Sequence, residues 1–349
     1  MGHYVYVAAT GDRKIQLFAM EPETGKLAFR HDIEIEESPV PMCLDPAKRT
    51  LYVGLRAENA SFIGSFRIDP SGDLSQVGKV SLEADPCYLA TDKTGTFLLG
   101  AYYLAGMVTV HRIDADGAVQ SRVIDQHKTA PKAHYIDTDA SNRYAFVPHV
   151  DQSNAIFQFH FDENTGKLTP NAIPKVDGGR GPQGPRHLVF HPNRSIVYAD
   201  NEQGSSVTVY DFDSTKGTLT PIQTLSTLPP SGFDGENSTA QIRIHPTGKA
   251  VYASNRGHNS IAMFAVDPES GRIRSLGQQP TESVPRPFNL DPDGNYLFAA
   301  GQESGRMASY RIDAHGELEP LDVYEIGQSP AWVLPVTQPR RCSSQKAPE

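Results

Sequence analysis

Residues 242–273 read IRIHPTGKAVYASNRGHNSIAMFAVDPESGRI. Three short runs, IRI, VYASNR and IAMFAV, are separated by HPTGKA and GHNS, and an acid-x-Gly turn, PESGRI, closes the stretch. The runs carry β-branched and aromatic residues at a period near two, which favours strands over a helix. The breaks carry the Pro, Gly, Asn and His-Pro chemistry of tight turns. The same unit recurs along the chain. Its turns are PETGKL at 22–27, PSGDL at 70–74, ADGAV at 115–119, ENTGKL at 163–168, STKGTL at 214–219, PESGRI at 268–273 and AHGEL at 314–318. The strongest strand of each unit begins at residues 4, 51, 97, 144, 197, 251 and 296, a spacing of 45–54 residues. A more polar strand follows each acid-x-Gly turn, giving four antiparallel strands per unit. Seven units of this length and content predict an all-β, seven-bladed β-propeller.

The chain ends fit a ring. The first unit lacks an innermost strand, and AWVLPV at 331–336 follows a Ser-Pro like that at 38–39. This C-terminal strand is expected to dock into the first blade, which would remove the open sheet edges. One propeller over residues 1–336 and a polar, disordered tail over 337–349 are the expected domain organisation. Two connections, 170–185 and 226–240, are long for the fold and are candidates for loops over a functional face.

Composition excludes several classes. A net charge of −9 argues against a general nucleic-acid surface. No apolar run is long enough to predict a transmembrane helix. Strand-like sequence from Tyr4 leaves no room for a secretory signal. Cys43, Cys87 and Cys342 show neither metal spacing nor a disulfide framework, which points to a reducing compartment and hence the cytoplasm. There is no Gly-x-Ser-x-Gly elbow and no P-loop. GGRGPQG at 178–184 precedes a strand rather than a helix, so it is a poor phosphate cradle. No metal and no cofactor is expected. A monomer or weak homo-oligomer is the expected state.

The candidate site follows from strand geometry. In an antiparallel blade the start of the innermost strand and the end of the next lie at the same end of the sheet. In a propeller both also lie near the central axis. The inner-strand starts supply His134, Arg186, His187 and Arg286, and the second-strand ends supply Arg56, Tyr102, His149, Glu202, Arg256 and Gln302. Four arginines around one opening of an acidic protein suggest a clamp for carboxylate or phosphate, which the planar guanidinium recognises well. Glu202 is read either as their counter-ion or as a carboxylate for proton transfer. His149 and His187 fit supporting roles. His191 and His245, in His-Pro turns, are read as turn residues at the far end of the blades.

GPRHLVFHP (184–192), ADNEQGSSVTVY (199–210), IRIHPTGKAVYASNR (242–256) and PFNLDPDGNYLFAAGQ (287–302) resemble the bacterial seven-bladed 6-phosphogluconolactonases. The resemblance covers nearly the whole chain and extends to the related 3-carboxy-cis,cis-muconate lactonizing enzymes. It implies a catalytic set of His134 in HYIDTD, Arg186 in GPRH, Glu202 in DNEQG and Arg256 in ASNR; Arg56, Tyr102, His149, His187, Arg286 and Gln302, which strand geometry places at the same mouth, are the expected substrate contacts. It implies hydrolysis of a small anionic lactone. The alternatives are cycloisomerisation of a carboxylated muconate and a non-catalytic binding scaffold. VPHVDQ departs from the lactonase pattern by placing His149 where a small apolar residue is expected.

Overall fold

The computed structural model describes residues 2–338. They form seven four-stranded antiparallel sheets arranged as a closed propeller. Each blade runs from an inner strand at the axis to an outer strand at the rim. The inner strands are Pro330–Gln338, Ser38–Leu44, Tyr88–Thr91, Asp137–Thr138, Pro185–Phe190, Ser238–Ile244 and Pro285–Leu290, in blades 1 to 7. Among the described residues only two short 3-10 turns, Thr10–Asp12 and Asp151–Ser153, stand beside the strands.

Blade 1 is completed as expected. Pro330–Gln338 pairs antiparallel with Gly2–Ala9, Tyr6 facing Leu334. The strand continues through Thr337 and Gln338, two residues beyond the expected boundary; the rest of the tail lies outside the described residues. The 170–185 connection also differs from expectation. Its first half belongs to the outer strand Lys167–Asp177, which leaves a loop of 178–184. The inner strand of blade 4 is shorter than its sequence suggests. Pairing survives at Asp137–Thr138 and at the bridge from Ala133 to His149. Between them Pro148 accepts a bond from the His134 N–H at 3.0 Å but has no N–H to return.

The acid-x-Gly turns hold neighbouring blades together. Tyr6 donates to Gly72 O at 2.6 Å, Tyr52 to Gly117 O at 3.1 Å, Tyr198 to Gly271 O at 2.8 Å and Tyr252 to Gly316 O at 3.0 Å. Tyr144 reaches Thr215 O at 2.8 Å, and Tyr296 reaches Pro22 O at 3.2 Å, which joins blade 7 to blade 1. In blade 3 Phe97 lies against Gly166 with no hydroxyl to offer. The glycine is needed for two reasons. At Gly217 φ is +70°, and an added Cβ would sit 2.0 Å from the Tyr144 ring.

The two halves of this clasp separate by mutation. Tyr144→Phe removes one hydrogen bond and is expected to cost about 1 kcal/mol. Gly217→Ala adds backbone strain and displaces the ring, and is expected to cost about 3 kcal/mol. Urea unfolding midpoints of the two variants check the order; equal losses would show that the hydroxyl, not the glycine, sets the blade spacing.

Candidate active site

The inner strands do not enter the channel regularly. In blade 5 Pro185 pairs with Asn201 and Leu188 with Ala199, so three steps on one strand match two on the other. The same shift occurs at Pro39/Met42, Thr239/Ile242, Pro285/Phe288 and Ala8/Ala9. Such a bulge re-aims side chains. In blades 2, 5, 6 and 7 it leaves two consecutive inner-strand residues between paired positions. In blade 5 these are Arg186 and His187. The bulged amide is capped from the second strand: His187 N–H donates to Asp200 Oδ1 at 2.9 Å, and Gln241 N–H donates to Ser254 Oγ at 3.2 Å.

At the mouth, Glu202 stands between two arginines. Arg186 Nε donates to Glu202 Oε2 at 2.7 Å, and Arg256 Nη2 lies 3.3 Å from Oε1. Arg256 Nη2 also donates to Thr239 O at 2.9 Å. Arg186 is buried to 2% exposure. Arg286 adds a third guanidinium, with no carboxylate partner among the described residues. Burial and the charges of Arg186 and Arg256 push its pKa down to about 9. His134 Nδ1 lies 3.3 Å from His187 Nε2. Burial, then the charge of Arg186, holds both imidazoles well below their ordinary pKa, so both are neutral at physiological pH. Burial works to raise Glu202, but the guanidiniums of Arg186 and Arg256 outweigh it and the carboxyl stays below its ordinary range.

Below this cluster the channel is closed by rings. Tyr88 lies 4.3 Å from Tyr135, 5.5 Å from Trp332 and 5.1 Å from His187, centroid to centroid. A cavity of about 360 Å³, lined by Tyr88, Trp332, Arg243, Asp137 and Lys93, lies beyond this layer at the opposite end. The arginine cluster therefore opens to one face only. Among the described residues no group of three or more His, Cys, Asp or Glu is gathered to hold a metal ion.

The structure brings together His134, Arg186, His187, Glu202, Arg256 and Arg286. Gln302 occupies in blade 7 the position of Glu202. Arg56 occupies it in blade 2, but its Nε is held by Asp85 at 2.7 Å. Tyr102 and His149 stand one residue away from that position. The hairpin bonds from Asp92 to Phe97, Asp139 to Tyr144 and His191 to Ile196 set the equivalence. By it the counterparts of Glu202 in blades 3 and 4 are Tyr103 and Val150. One residue along a strand reverses the face. Tyr102 accordingly lies buried with its hydroxyl 3.0 Å from Thr109, and His149 lies buried 2.7 Å from Thr129 and 2.8 Å from Val147 O. Neither lines the mouth. Tyr103 does, its ring 5.5 Å from His134. Sequence reasoning also passed over Asp200, which the two-residue strand period places on the same face as Glu202.

A buried guanidinium cluster with one shared carboxylate and two neutral imidazoles thus lies at the closed end of the propeller mouth, an arrangement chemically able to hold a small anion. The chain belongs to the family described as lactonase, 7-bladed beta-propeller, whose model matches residues 1–335. It is 35% identical over 334 residues to the 6-phosphogluconolactonase of Pectobacterium atrosepticum, covering 95% of this chain and 98% of that protein. It is 35% identical over 336 residues to that of Yersinia pestis, with the same coverage. Among solved structures, the periplasmic gluconolactonase of Pseudomonas aeruginosa superposes with a TM-score of 0.86 at 25% identity, over 97% of this chain and 100% of that one. A Lactobacillus plantarum protein, 23% identical, shares the fold with a TM-score of 0.87 over 97% of this chain and 100% of its own.

Asp200 gives the site a measurable pH signature. It is fully buried, and its Oδ2 has no hydrogen-bond partner. Burial raises its pKa to about 6 against the pull of Arg186. Folded Asp200 then holds its proton while the unfolded chain has released it, so folding stability falls as pH rises from about 4 to about 6. The loss is about 3 kcal/mol. Asp200→Asn keeps an acceptor for the His187 amide and is expected to be more stable than wild type at pH ~8 but not at pH ~4. Urea unfolding at the two pH values checks it; an equal difference at both would rule out the buried carboxyl as the source.

Proposed function

We propose that this chain hydrolyses a phosphorylated sugar lactone of the 6-phosphogluconolactone type. The observation that carries the reading is charge. Arg186, Arg256 and Arg286 face one accessible carboxylate, Glu202, beside two neutral histidines, and the surplus is positive in a chain of net charge −9. A neutral sugar would leave that surplus unmatched, even with the buried Asp200 carboxylate counted beside Glu202; an anionic substrate group answers it. The relatives named above support the same substrate class.

The residues divide the reaction as follows. Arg286, without a carboxylate partner, holds the phosphate. Glu202 accepts a proton from water as the water oxygen adds to the lactone carbonyl. Ionised well into the acidic range by its two arginines, it is present as a base at every physiological pH. Arg256 stabilises the oxyanion of the tetrahedral intermediate. As the ring C–O bond breaks, the departing alkoxide takes a proton from the neutral His134, and the proton that Glu202 took from water restores the imidazole and frees the carboxylate for the next turnover. The product is the open hydroxy acid, with water consumed and no other reactant required. Arg56 and Gln302, at the Glu202 position of their own blades, are the remaining candidates for substrate contact. The unpaired Cys43 and Cys87 suit a reducing compartment, and we place the protein in the cytoplasm as a monomer or weak homo-oligomer.

Glu202→Gln is expected to lower kcat by at least 10²-fold. Arg286→Met is expected to raise KM for the 6-phosphorylated δ-lactone by ~10–100-fold and to change KM for the unphosphorylated lactone by less than about twofold. Proton release from both lactones, followed with a pH indicator, checks this. Equal effects of Arg286→Met on the two substrates would remove phosphate from the reading. Turnover of a carboxymuconate by wild type, without lactone hydrolysis, would replace hydrolysis with cycloisomerisation.

A further inference from the structure

We infer that Gln241 and Arg243, two channel residues of blade 6, decide which nitrogen of His134 carries its proton, and that they make it Nε2. Neither touches the mouth; both act through His187.

Hydrogen-bond valence carries the assignment. A guanidinium only donates. Arg243 Nε donates to Asn289 Oδ1 at 2.9 Å and Nη1 to Ile242 O at 3.0 Å. One end of the Gln241 amide then lies 2.5 Å from Nη2 and 2.8 Å from Nη1, and that end must be the oxygen. The amide nitrogen therefore faces His187 Nδ1, 2.5 Å away, and donates to it. His187 is neutral and buried, so its one proton is on Nε2. That N–H points at His134 Nδ1, 3.3 Å away, which must accept. His134 is neutral as well, so its proton is on Nε2, the nitrogen with no protein partner among the described residues.

The opposite arrangement has one attraction. His187 Nε2 also lies 3.3 Å from Arg186 Nη1, and an unprotonated Nε2 would accept from it. That gain is one long contact. It would turn the Gln241 NH₂ against Arg243 and forfeit two short charge-assisted bonds, each stronger than a long neutral contact. Arg243 wins, and the orientation of Arg186 is left to Glu202, its 2.7 Å partner.

The consequence deepens the lactonase reading and rests on it for its chemistry: His134 enters the reaction as a proton donor to the ring oxygen, and Glu202 is left as the base. Gln241 and Arg243 are positioning residues. The proton assignment itself does not depend on any activity.

Two-dimensional long-range ¹H–¹⁵N spectra of the full chain labelled at histidine, at neutral pH, read each imidazole's tautomer directly. Wild type is expected to show Nε2–H at both His134 and His187, assigned by loss of signals in His134→Gln and His187→Gln. In Gln241→Glu the side chain can only accept from His187 Nδ1–H, so both tautomers are expected to reverse, with kcat falling ~10–100-fold and KM changing less than about twofold. Arg243→Met removes the constraint on the amide and is expected to give mixed tautomers; it serves if Gln241→Glu fails to fold. An Nδ1–H tautomer at His134 in wild type, or His134 unchanged in both variants, overturns the inference. A wild-type protein with Nε2–H at His134 but no lactone turnover would sink the lactonase reading and leave the proton assignment standing.

Discussion

The structure depends on the spacing between adjacent blades. Within a blade, backbone bonds fix every strand. Between blades the recurring polar link is a tyrosine hydroxyl seated on the carbonyl of the next blade's turn, as in Tyr198 to Gly271 and Tyr252 to Gly316. The ring has no slack, because Tyr296 of blade 7 makes the same bond to Pro22 of blade 1. Arg186 and Glu202 pair within blade 5, but the contacts that join them to the rest of the site, Arg256 to Glu202 and His187 to His134 and Gln241, cross blade boundaries. His134 belongs to blade 4, Arg186, His187 and Glu202 to blade 5, Gln241, Arg243 and Arg256 to blade 6, and Arg286 to blade 7. A change of about half an ångström in blade spacing would break the 3.3 Å contacts of Arg256 with Glu202 and of His187 with His134 while leaving each sheet intact. The glycines of the turns, far from the chemistry, therefore hold its geometry.

Against that rigid frame the inner-strand bulge is the local departure that makes a site. A regular strand would send alternate residues to the axis, so Arg186 and His187 could not both face it. The bulge permits both, and it leaves an amide that Asp200 and Ser254 must cap. In blade 5 the cap is a carboxylate within reach of Arg186, so one side chain satisfies the backbone and adds negative charge beneath the guanidiniums. The cost is visible in Asp200 itself, whose carboxyl pKa is pushed up by burial to about 6 against the pull of Arg186. Buried groups shifted in this way concentrate where function demands them.

Much of this was legible in sequence, for identifiable reasons. Acid-x-Gly turns and alternating strands are local signals, and they sufficed for the propeller, its count and its closure by 331–336. The mouth was legible because strand ends share one face whatever the blade, which placed His134, Arg186, Glu202 and Arg256 together. The error at Tyr102 and His149 arose where the pattern lost contrast. In FLLGAYY two adjacent tyrosines are equally plausible, and in YAFVPH the polar residue is the buried one, so nothing local fixed which residue faced the axis. Only the hairpin bonds did. The strand period puts Asp200 on the face of Glu202, but its part as a cap, like the parts of Gln241 and Arg243, rests on a bulge and on contacts between inner strands 54 residues apart in sequence.

The charge arrangement also explains how weak acids and bases suffice. Two ion pairs make Glu202 a poorer base than a free carboxylate, and burial makes His134 a poorer base than a free imidazole. For a general base this would be a handicap in amide hydrolysis. A lactone is an activated ester, and its demand lies elsewhere, in stabilising charge as it develops on the carbonyl oxygen. In the proposed mechanism the same guanidiniums that weaken Glu202 supply that stabilisation when a lactone lies beside them. A neutral imidazole that is hard to protonate holds its single N–H where the hydrogen-bond chain puts it. It gives up that proton only to a strongly basic partner, such as a departing alkoxide. Electrostatics that look unfavourable group by group thus match a reaction whose barrier is set by negative charge on oxygen.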